Sequence, residues 1–250
     1  MVLGSSARTS PSGRPAANSP SLEVIPAVLV KTENELRESI NKVRSHVKTI
    51  HIDVMDDKFV PNKTIGIQEI NSYLADPSSR VGVIYEFHWM VENPAKWILE
   101  LKTPNKLGSD IQLVHIETIK SRDDWQAVKR AVSLKGDELG LVINPETPLD
   151  SLLKDNYAND CSRILVMAVH PGFSGQKYIT EVEGKISELR KRYSQLDIEI
   201  DGGVDVQTAI SASKAGANKL AAASSIFKSE SIPDAIKKLN QAGKKGKSQS

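Results

Sequence analysis

The sequence predicts an α/β protein folded as a single (β/α)8 TIM barrel with disordered tails at both ends. Short runs rich in β-branched residues recur eight times, and segments with apolar residues at helical spacing lie between them. Alternating strands and helices form a parallel sheet, and eight strands within about 220 residues fit a closed barrel. A doubly wound open sheet is the alternative, although the first strand-to-helix turn lacks the GxGxxG sequence of dinucleotide-binding domains.

The eight predicted strands are short and mostly apolar, as expected for strands that are buried on both faces. They cover residues 24–29, 48–54, 83–89, 111–116, 139–143, 163–169, 197–200 and 218–222. The carboxyl ends of barrel strands meet at one face, where enzymes of this fold place their reactive residues. Candidate functional residues are therefore those that end these strands.

The helical segments have recognisable starts. Thr32 and Glu35 form a capping-box pattern, in which both side chains satisfy backbone N–H groups. Ser121, Asp205 and Ser231 are predicted N-caps of three later helices. Apolar residues recur at intervals of three or four in three segments: Leu36, Ile40, Val43 and Val47; Trp125, Val128 and Val132; Val182, Ile186, Leu189 and Tyr193. This spacing gives each helix an apolar face that can pack against the sheet.

The two ends of the chain are predicted to lie outside the barrel domain, which spans residues 22–242. Residues 1–21 are rich in Ser, Pro, Gly and Ala without apolar periodicity, and residues 243–250 form a lysine-rich tail. The N-terminal extension carries two arginines and no acid, so an organelle transit peptide is an alternative to a plain extension of a cytoplasmic protein.

Composition excludes several classes of protein. The formal net charge is +2, but seven of the positive charges belong to the ends of the chain: two arginines in residues 1–20 and five lysines in residues 235–250. Residues 21–234 contain 26 basic and 31 acidic groups, which gives them a net charge of −5. A mildly acidic body argues against a nucleic-acid partner. Cys161 is the single cysteine, which excludes an internal disulfide, and the longest apolar run, residues 164–169, is too short for a membrane span.

Potential metal ligands converge at the strand ends. His51 and Asp53 are two residues apart on one strand and so point to the same face. His88 ends the third strand and Asp201 the seventh, and in a closed barrel both can reach the axis. Two imidazoles and two carboxylates suit one divalent ion: Zn, Fe, Mn or Co. The alternative is that the histidines are hydrogen-bonded core residues and Asp53 is a turn acid. His115, beside Glu117, is predicted to support the pocket wall by a hydrogen bond.

Two glycine-rich loops after neighbouring late strands are predicted to bind phosphate. Residues 171–176 read PGFSGQ, and residues 201–203 read DGG. Glycines let backbone N–H groups approach an anion closely, although glycine often serves only to make a turn. Met55, Met90 and Met167 also lie at strand ends, where they fill the core or line the active site.

These stretches closely resemble the ribulose-phosphate 3-epimerase family. The resemblance rests on residues 51–56 (HIDVMD), 59–62 (FVPN), 88–91 (HWMV), 144–148 (NPETP), 166–176 (VMAVHPGFSGQ) and 199–204 (EIDGGV). It implies a divalent metal held by His51, Asp53, His88 and Asp201, with Asp53 and Asp201 as the catalytic acid/base pair. It further implies a homo-oligomer. Phosphate would be bound by the two loops and the segment after strand eight, through Gly172, Phe173, Ser174, Gly175, Gly202, Gly203, Ala223 and Ser224. The methionines that would surround the reacting carbons are Met55, Met90 and Met167.

The chemistry of such a site is coherent. Inverting a carbon next to a ketone requires removal of a proton from one face and delivery of a proton to the other, so two carboxylates are needed. A metal beside the ketone and hydroxyl oxygens would stabilise the enediolate. The leading hypothesis is a metal-dependent epimerase that inverts C3 of D-ribulose 5-phosphate to give D-xylulose 5-phosphate.

Several positions depart from the family pattern. Ala27 stands in place of a serine, Asp57 and Lys58 in place of Gly-His, and His170 in place of Asn, Asp or Glu. In the phosphate loops, Ser174 and Ala223 replace glycines, and the methyl group of Ala223 would obstruct phosphate if that residue needed a positive φ. Alternatives are therefore an epimerase of another ketose phosphate such as allulose 6-phosphate, a non-catalytic metal- or sugar-phosphate-binding barrel, and a metal-assisted hydrolase.

Overall fold

Eight parallel strands close into a barrel in sequential order, which confirms the predicted fold class. The structure is a computed structural model that describes residues 20–103, 108–153, 155–173 and 175–249. The ends of the observed strands differ from the predicted strand ends by at most two residues. The strands are β1 (Glu23–Val28), β2 (Thr49–Met55), β3 (Ile84–Met90), β4 (Ile111–His115), β5 (Glu138–Ile143), β6 (Arg163–Met167), β7 (Asp197–Asp201) and β8 (Lys219–Ala222).

A helix follows every strand, and a final helix completes the fold. Thr32, Asp205 and Ser231 cap helices as predicted, the first two in capping boxes. None of the helices in the described part of the chain has the length and apolar character needed to cross a membrane. The helices are α1 (Glu33–Val43), α2 (Ile67–Ala75), α3 (Pro94–Glu100), α4 (Arg122–Lys135), α5 (Asp150–Leu153), α6 (Glu183–Arg192), α7 (Val206–Ala215), α8 (Ser224–Phe227) and α9 (Ile232–Lys247).

The register between strands sets the height of each functional side chain in the barrel. Asp53 of β2 pairs with His88 of β3. On the other side of the barrel, Met167 of β6 pairs with Asp201 of β7, which pairs in turn with Ala221 of β8. Because alternate residues of a strand face the same side, this register brings the inward side chains of distant strands to a common level.

Residues 243–247 of the predicted C-terminal tail are helical, which corrects the prediction that they are disordered. Helix α9 runs to Lys247, and Gly243 and Gly246 are buried on its inner face. A Cβ at Gly246 would lie only 2.2 Å from the carbonyl oxygen of Ile210, so the glycine permits α9 to approach α7 closely. The Lys247 Nζ donates to the carbonyl of Pro20 at 2.6 Å. Of the predicted N-terminal extension, residues 1–19 lie outside the described residues.

This packing predicts opposite outcomes for two glycine-to-alanine changes. Alanine normally stabilises a helix by up to about 1 kcal/mol relative to glycine. Gly184→Ala in α6, where the new Cβ meets nothing within 4 Å, should raise the free energy of unfolding accordingly. Gly246→Ala should instead lower it by about 1–3 kcal/mol, because the methyl group would push against α7. Urea unfolding of both variants measures the difference, and equal stabilisation would show that α9 does not pack as described.

Candidate active site

Four polar side chains from three strands meet near the barrel axis. The His88 Nδ1 lies 2.9 Å from the Asp53 Oδ1 and 3.9 Å from the Asp201 Oδ2. The His51 Nε2 lies 3.2 Å from the same Asp53 oxygen. One ligand atom from each of the four residues lies within 4.8 Å of the others. Two imidazole nitrogens and two carboxylate oxygens at such separations fit one divalent ion.

In both His51 and His88, the ring nitrogen that does not face Asp53 contacts a further polar group. The His51 Nδ1 lies 2.6 Å from the Glu86 Oε1. The His88 Nε2 lies 2.8 Å from the His115 Nε2, and the His115 Nδ1 lies 3.2 Å from the Glu117 Oε2, so His115 hydrogen-bonds Glu117 as predicted. Partners of this kind set the ring orientation of metal-binding histidines. Each of the two histidines therefore presents its other ring nitrogen to the cluster.

The two aspartates have different electrostatic environments. Burial opposes ionisation of Asp53, but hydrogen bonds to His51 and His88 outweigh it and hold the pKa of Asp53 well below its usual range. Burial and, to a smaller extent, the neighbouring Asp53 carboxylate together raise the pKa of Asp201 to about 6. Among the protein's own charges, Asp53 stays ionised to a low pH, whereas Asp201 takes up a proton at a higher pH than an ordinary carboxyl group. Carboxylates with pKa values pushed apart are typical of acid/base pairs.

A cavity of about 690 Å³ opens above the cluster, a size that suits a small organic ligand. Asp53 and Asp201 line its floor, whereas His51 and His88 are completely buried beneath it. The structure brings the predicted phosphate and pocket residues together around this cavity, except Ser174, which lies outside the described residues. They are Gly172, Phe173, Gly175, Gly202, Gly203, Ala223, Ser224, Met55, Met90 and Met167.

The turn after β7 requires glycine. Gly202 has a φ of +103°, and a Cβ there would lie 2.5 Å from the Cγ2 of Val169. Both the backbone conformation and the contact exclude a side chain, so the loop approaches the cavity as bare backbone.

Gly202→Ala should therefore lower the free energy of unfolding by about 1–3 kcal/mol, from backbone strain and the clash with Val169. Gly82→Ala is a matched control, because Gly82 has a φ of +76° with nothing within 4 Å of a new Cβ. Thermal unfolding of both variants separates the two contributions. If the two variants lose equal stability, the contact with Val169 carries no cost.

The departures from the family pattern have structural outcomes. Ala223 has a φ of −104°, so it does not need the positive φ that would have made its methyl group an obstruction. Asp57 does adopt a φ of +60°, a conformation that Asp tolerates better than most residues. His170 is exposed and pairs with Glu146 at 2.9 Å, and Ala27 lies on the cavity wall.

Some residues at or near the site escaped the sequence analysis. Lys177 and Lys228 line the cavity, and the signal for both was a basic residue close to a predicted phosphate loop. Glu86, Arg163 and Glu199 are buried inside the barrel below the histidines. The signal for these three was a charged residue within an otherwise apolar strand, since buried charges are rare unless they are paired.

A sequence model of the ribulose-phosphate 3 epimerase family matches residues 23–227, which covers every strand of the barrel. The chain belongs to this family. Members of the ribulose-phosphate 3-epimerase family are metal-dependent isomerases, and the chain is accordingly an epimerase with a buried His/Asp cluster that can hold a metal ion.

Several curated relatives support this assignment over nearly the whole chain. The "Ribulose-phosphate 3-epimerase, cytoplasmic isoform" of Oryza sativa subsp. japonica is 37% identical over 210 residues, which are 84% of this chain and 88% of the relative. The ribulose-phosphate 3-epimerase of Bacillus subtilis is 34% identical, covering 87% of this chain and 98% of the relative. The "Ribulose-5-phosphate-3-epimerase, chloroplastic" of Arabidopsis thaliana is 35% identical, covering 86% of this chain and 74% of the relative.

Solved structures with low sequence identity share the fold. The 3-hexulose-6-phosphate synthase from Salmonella typhimurium superposes with a TM-score of 0.65 at 15% identity, covering 90% of this chain and all of that one. The crystal structure of KGPDC from Streptococcus mutans gives a TM-score of 0.63 at 12% identity, with 91% of this chain and 98% of that one covered. These similarities support the barrel architecture alone.

Proposed function

We propose that the protein interconverts D-ribulose 5-phosphate and D-xylulose 5-phosphate by inverting C3. The observation that carries this proposal is the pair of aspartates, Asp53 and Asp201, at the floor of one cavity. Their strands, β2 and β7, are separated by β1 and β8 around the barrel, so the two carboxylates enter the cavity from different directions. The family of the chain and the names of its relatives agree with this reaction.

Asp53 and Asp201 would act on opposite faces of the substrate. A single base would return the proton to the face from which it was taken, so inversion needs one carboxylate on each side of C3. The ionised Asp53 is ready to accept a proton and Asp201, with its pKa near 6, to donate one. Reversal of the reaction exchanges the two roles.

His51, Asp53, His88 and Asp201 would hold one divalent ion, Zn, Fe, Mn or Co. When bound, the ion supplies positive charge where negative charge develops on the oxygens of the enediolate. Each aspartate has a second carboxylate oxygen, so binding the ion and moving a proton are compatible roles. Glu86 and His115 would keep the two imidazoles in position.

The phosphate group would lie against the loops after β6, β7 and β8, opposite the metal cluster. Gly202 and Gly203 offer backbone there without side chains, and Lys177 and Lys228, which also line the cavity, would add positive charge. Met55, Met90 and Met167 would exclude water from the reacting carbons. The further phosphate contacts would come from Gly172, Phe173, Ser174, Gly175, Ala223 and Ser224.

A second candidate is an epimerase of a longer ketose phosphate such as allulose 6-phosphate. Ala27 favours it, because a methyl group lines the cavity where the family pattern has a serine. Proton NMR in D₂O decides between the two: deuterium should enter C3 of ribulose 5-phosphate as xylulose 5-phosphate forms. Exchange with allulose 6-phosphate alone would replace the proposed substrate, and no exchange with either would indicate a non-catalytic barrel.

We further propose that the enzyme is a cytoplasmic homo-oligomer with residues 1–21 outside the catalytic barrel. The cytoplasmic rice relative supports this location, whereas the chloroplastic relative supports a targeting role for the N-terminal extension. Light scattering of the purified chain tests the oligomeric state, and fluorescent fusions with and without residues 1–21 test the location.

A further inference from the structure

A second ionic cluster lies inside the barrel directly below the proposed metal ligands. Arg163, which is 4% exposed, points its guanidinium into the barrel from β6. Its Nη1 contacts the Glu86 carboxylate and lies 2.8 Å from the Glu199 Oε2, and its Nη2 lies 3.7 Å from the Asp197 Oδ2. Glu86 and Glu199 are completely buried.

The guanidinium is the cation that makes this arrangement of carboxylates possible. A buried carboxylate without a partner is strongly destabilising, and here two of them face each other. Glu86, Glu199 and His51 also form, by themselves, a group whose ligand atoms are close enough to hold a cation. Arg163 fills that role with its Nη1, which contacts both Glu86 and Glu199, so the chain itself supplies the positive charge between these two carboxylates.

Arg163 is connected to the proposed metal site through a single carboxylate. One oxygen of Glu86 contacts the guanidinium, and the other lies 2.6 Å from the Nδ1 of His51. The Oε1 of Glu199 lies 3.6 Å from the same nitrogen, too far for a good hydrogen bond. Glu86 therefore accepts the hydrogen bond of the His51 Nδ1–H, which leaves Nε2, 3.2 Å from the Asp53 Oδ1, as the ring nitrogen that can bind a metal ion.

We propose that Arg163 is a positioning residue for the metal site: it fixes the Glu86 carboxylate, and through it the tautomer and ring orientation of His51. The inference rests on the proposed role of His51 as a metal ligand. Without the guanidinium, Glu86 and Glu199 repel each other, and His51 is drawn down towards the lower cluster, away from His88 and Asp201.

Titration of the metal-stripped protein with Co²⁺ in the absence of sugar tests this role. Arg163→Met should weaken Co²⁺ binding about 10- to 100-fold and alter the visible absorption bands of the bound ion. Arg163→Lys, which keeps the charge but loses the fork, should restore part of the affinity. Glu86→Gln should cause a similar loss, and the double variant Glu86→Gln/Arg163→Met should lose little more, because both act through His51.

Arg80→Met is the matched control. Arg80 forms a buried ion pair with Asp110 at 2.7 Å, away from the metal cluster, so its loss should reduce stability and leave Co²⁺ affinity unchanged. Folding of every variant is checked by circular dichroism. If Arg163→Met does not fold, Arg163→Lys and Glu86→Gln decide the matter.

Wild-type affinity and absorption bands in the folded Arg163 and Glu86 variants would overturn the proposal. Affinity that falls equally in Arg80→Met would also overturn it, since the effect would then be general destabilisation. A wild-type chain that binds no Co²⁺ would overturn both this inference and the proposed metal site. Binding without turnover of ribulose 5-phosphate would count against the proposed function alone.

Discussion

Asp53→Asn and Asp201→Asn are each expected to lower epimerisation by about 10²- to 10⁴-fold while leaving the barrel folded. Asparagine has nearly the same shape as aspartate but cannot accept or deliver the proton at C3. The two residues lie on the floor of the same cavity, and neither can replace the other because they approach from different strands. Conversion in either direction requires both, so both variants should lose it.

The two-base arrangement has a sharper signature than loss of activity. Each single variant keeps one carboxylate, so it can still exchange the C3 proton of the epimer that this carboxylate faces. NMR in D₂O can be started separately from ribulose 5-phosphate and from xylulose 5-phosphate. One variant should exchange the C3 proton of the first epimer only, and the other variant should exchange the C3 proton of the second epimer only. Metal content is measured alongside, because both residues also belong to the proposed ligand set.

Asp57→Asn is the matched control for these variants. Asp57 is an exposed carboxylate in the loop after β2, and its φ of +60° is also tolerated by asparagine. Its activity should equal that of the wild type. Full interconversion of the epimers by either Asp53→Asn or Asp201→Asn would exclude the two-base mechanism.

Removing the metal is expected to abolish turnover, with a loss of about 10³-fold or more. The physical reason is that charge developing on the substrate oxygens would lie in a buried site beside Asp53 and Asp201, where it would be repelled rather than neutralised. Chelation followed by gel filtration should give an inactive, folded protein. Addition of Zn²⁺, Fe²⁺, Mn²⁺ or Co²⁺ should restore activity, and the order of restoration identifies the preferred ion.

Comparing His88→Asn with His170→Asn distinguishes the loss of a proposed metal ligand from the loss of a histidine that is not a ligand. His88 is completely buried between Asp53 and His115, whereas His170 is exposed and pairs with Glu146. His88→Asn should bind metal at least about tenfold more weakly, and His170→Asn should match the wild type. A metal-stripped protein that retains wild-type turnover would contradict the proposed role of the ion.

Much of the fold was predictable because its signals are local. The capping box of Thr32 and Glu35 depends on neighbouring backbone groups, and the apolar spacing in α1 depends on helical periodicity. The end of α9 was not predictable in the same way. Glycine and lysine at residues 243–247 are typical of a solvated tail, and only the close contact with α7 makes those glycines favourable.

The candidate site was partly predictable for the same reason. His51 and Asp53 share a strand, so their common direction follows from spacing alone. Arg163, by contrast, lies far along the chain from Glu86, and no local pattern links the two residues. Their contact exists because β3 and β6 face each other across the closed barrel.

The sequence by itself determined the eight strands, the helix starts, the family and the residue types at the strand ends. These properties depend on periodicity, capping and short motifs, which act over a few residues. Tertiary structure alone decided the register that sets Asp53 beside His88, the packing of α9, and the ionic cluster of Arg163 beneath His51. Those features arise when the sheet closes and brings residues that are distant in sequence into one buried, low-dielectric interior, where each charge must find its partner.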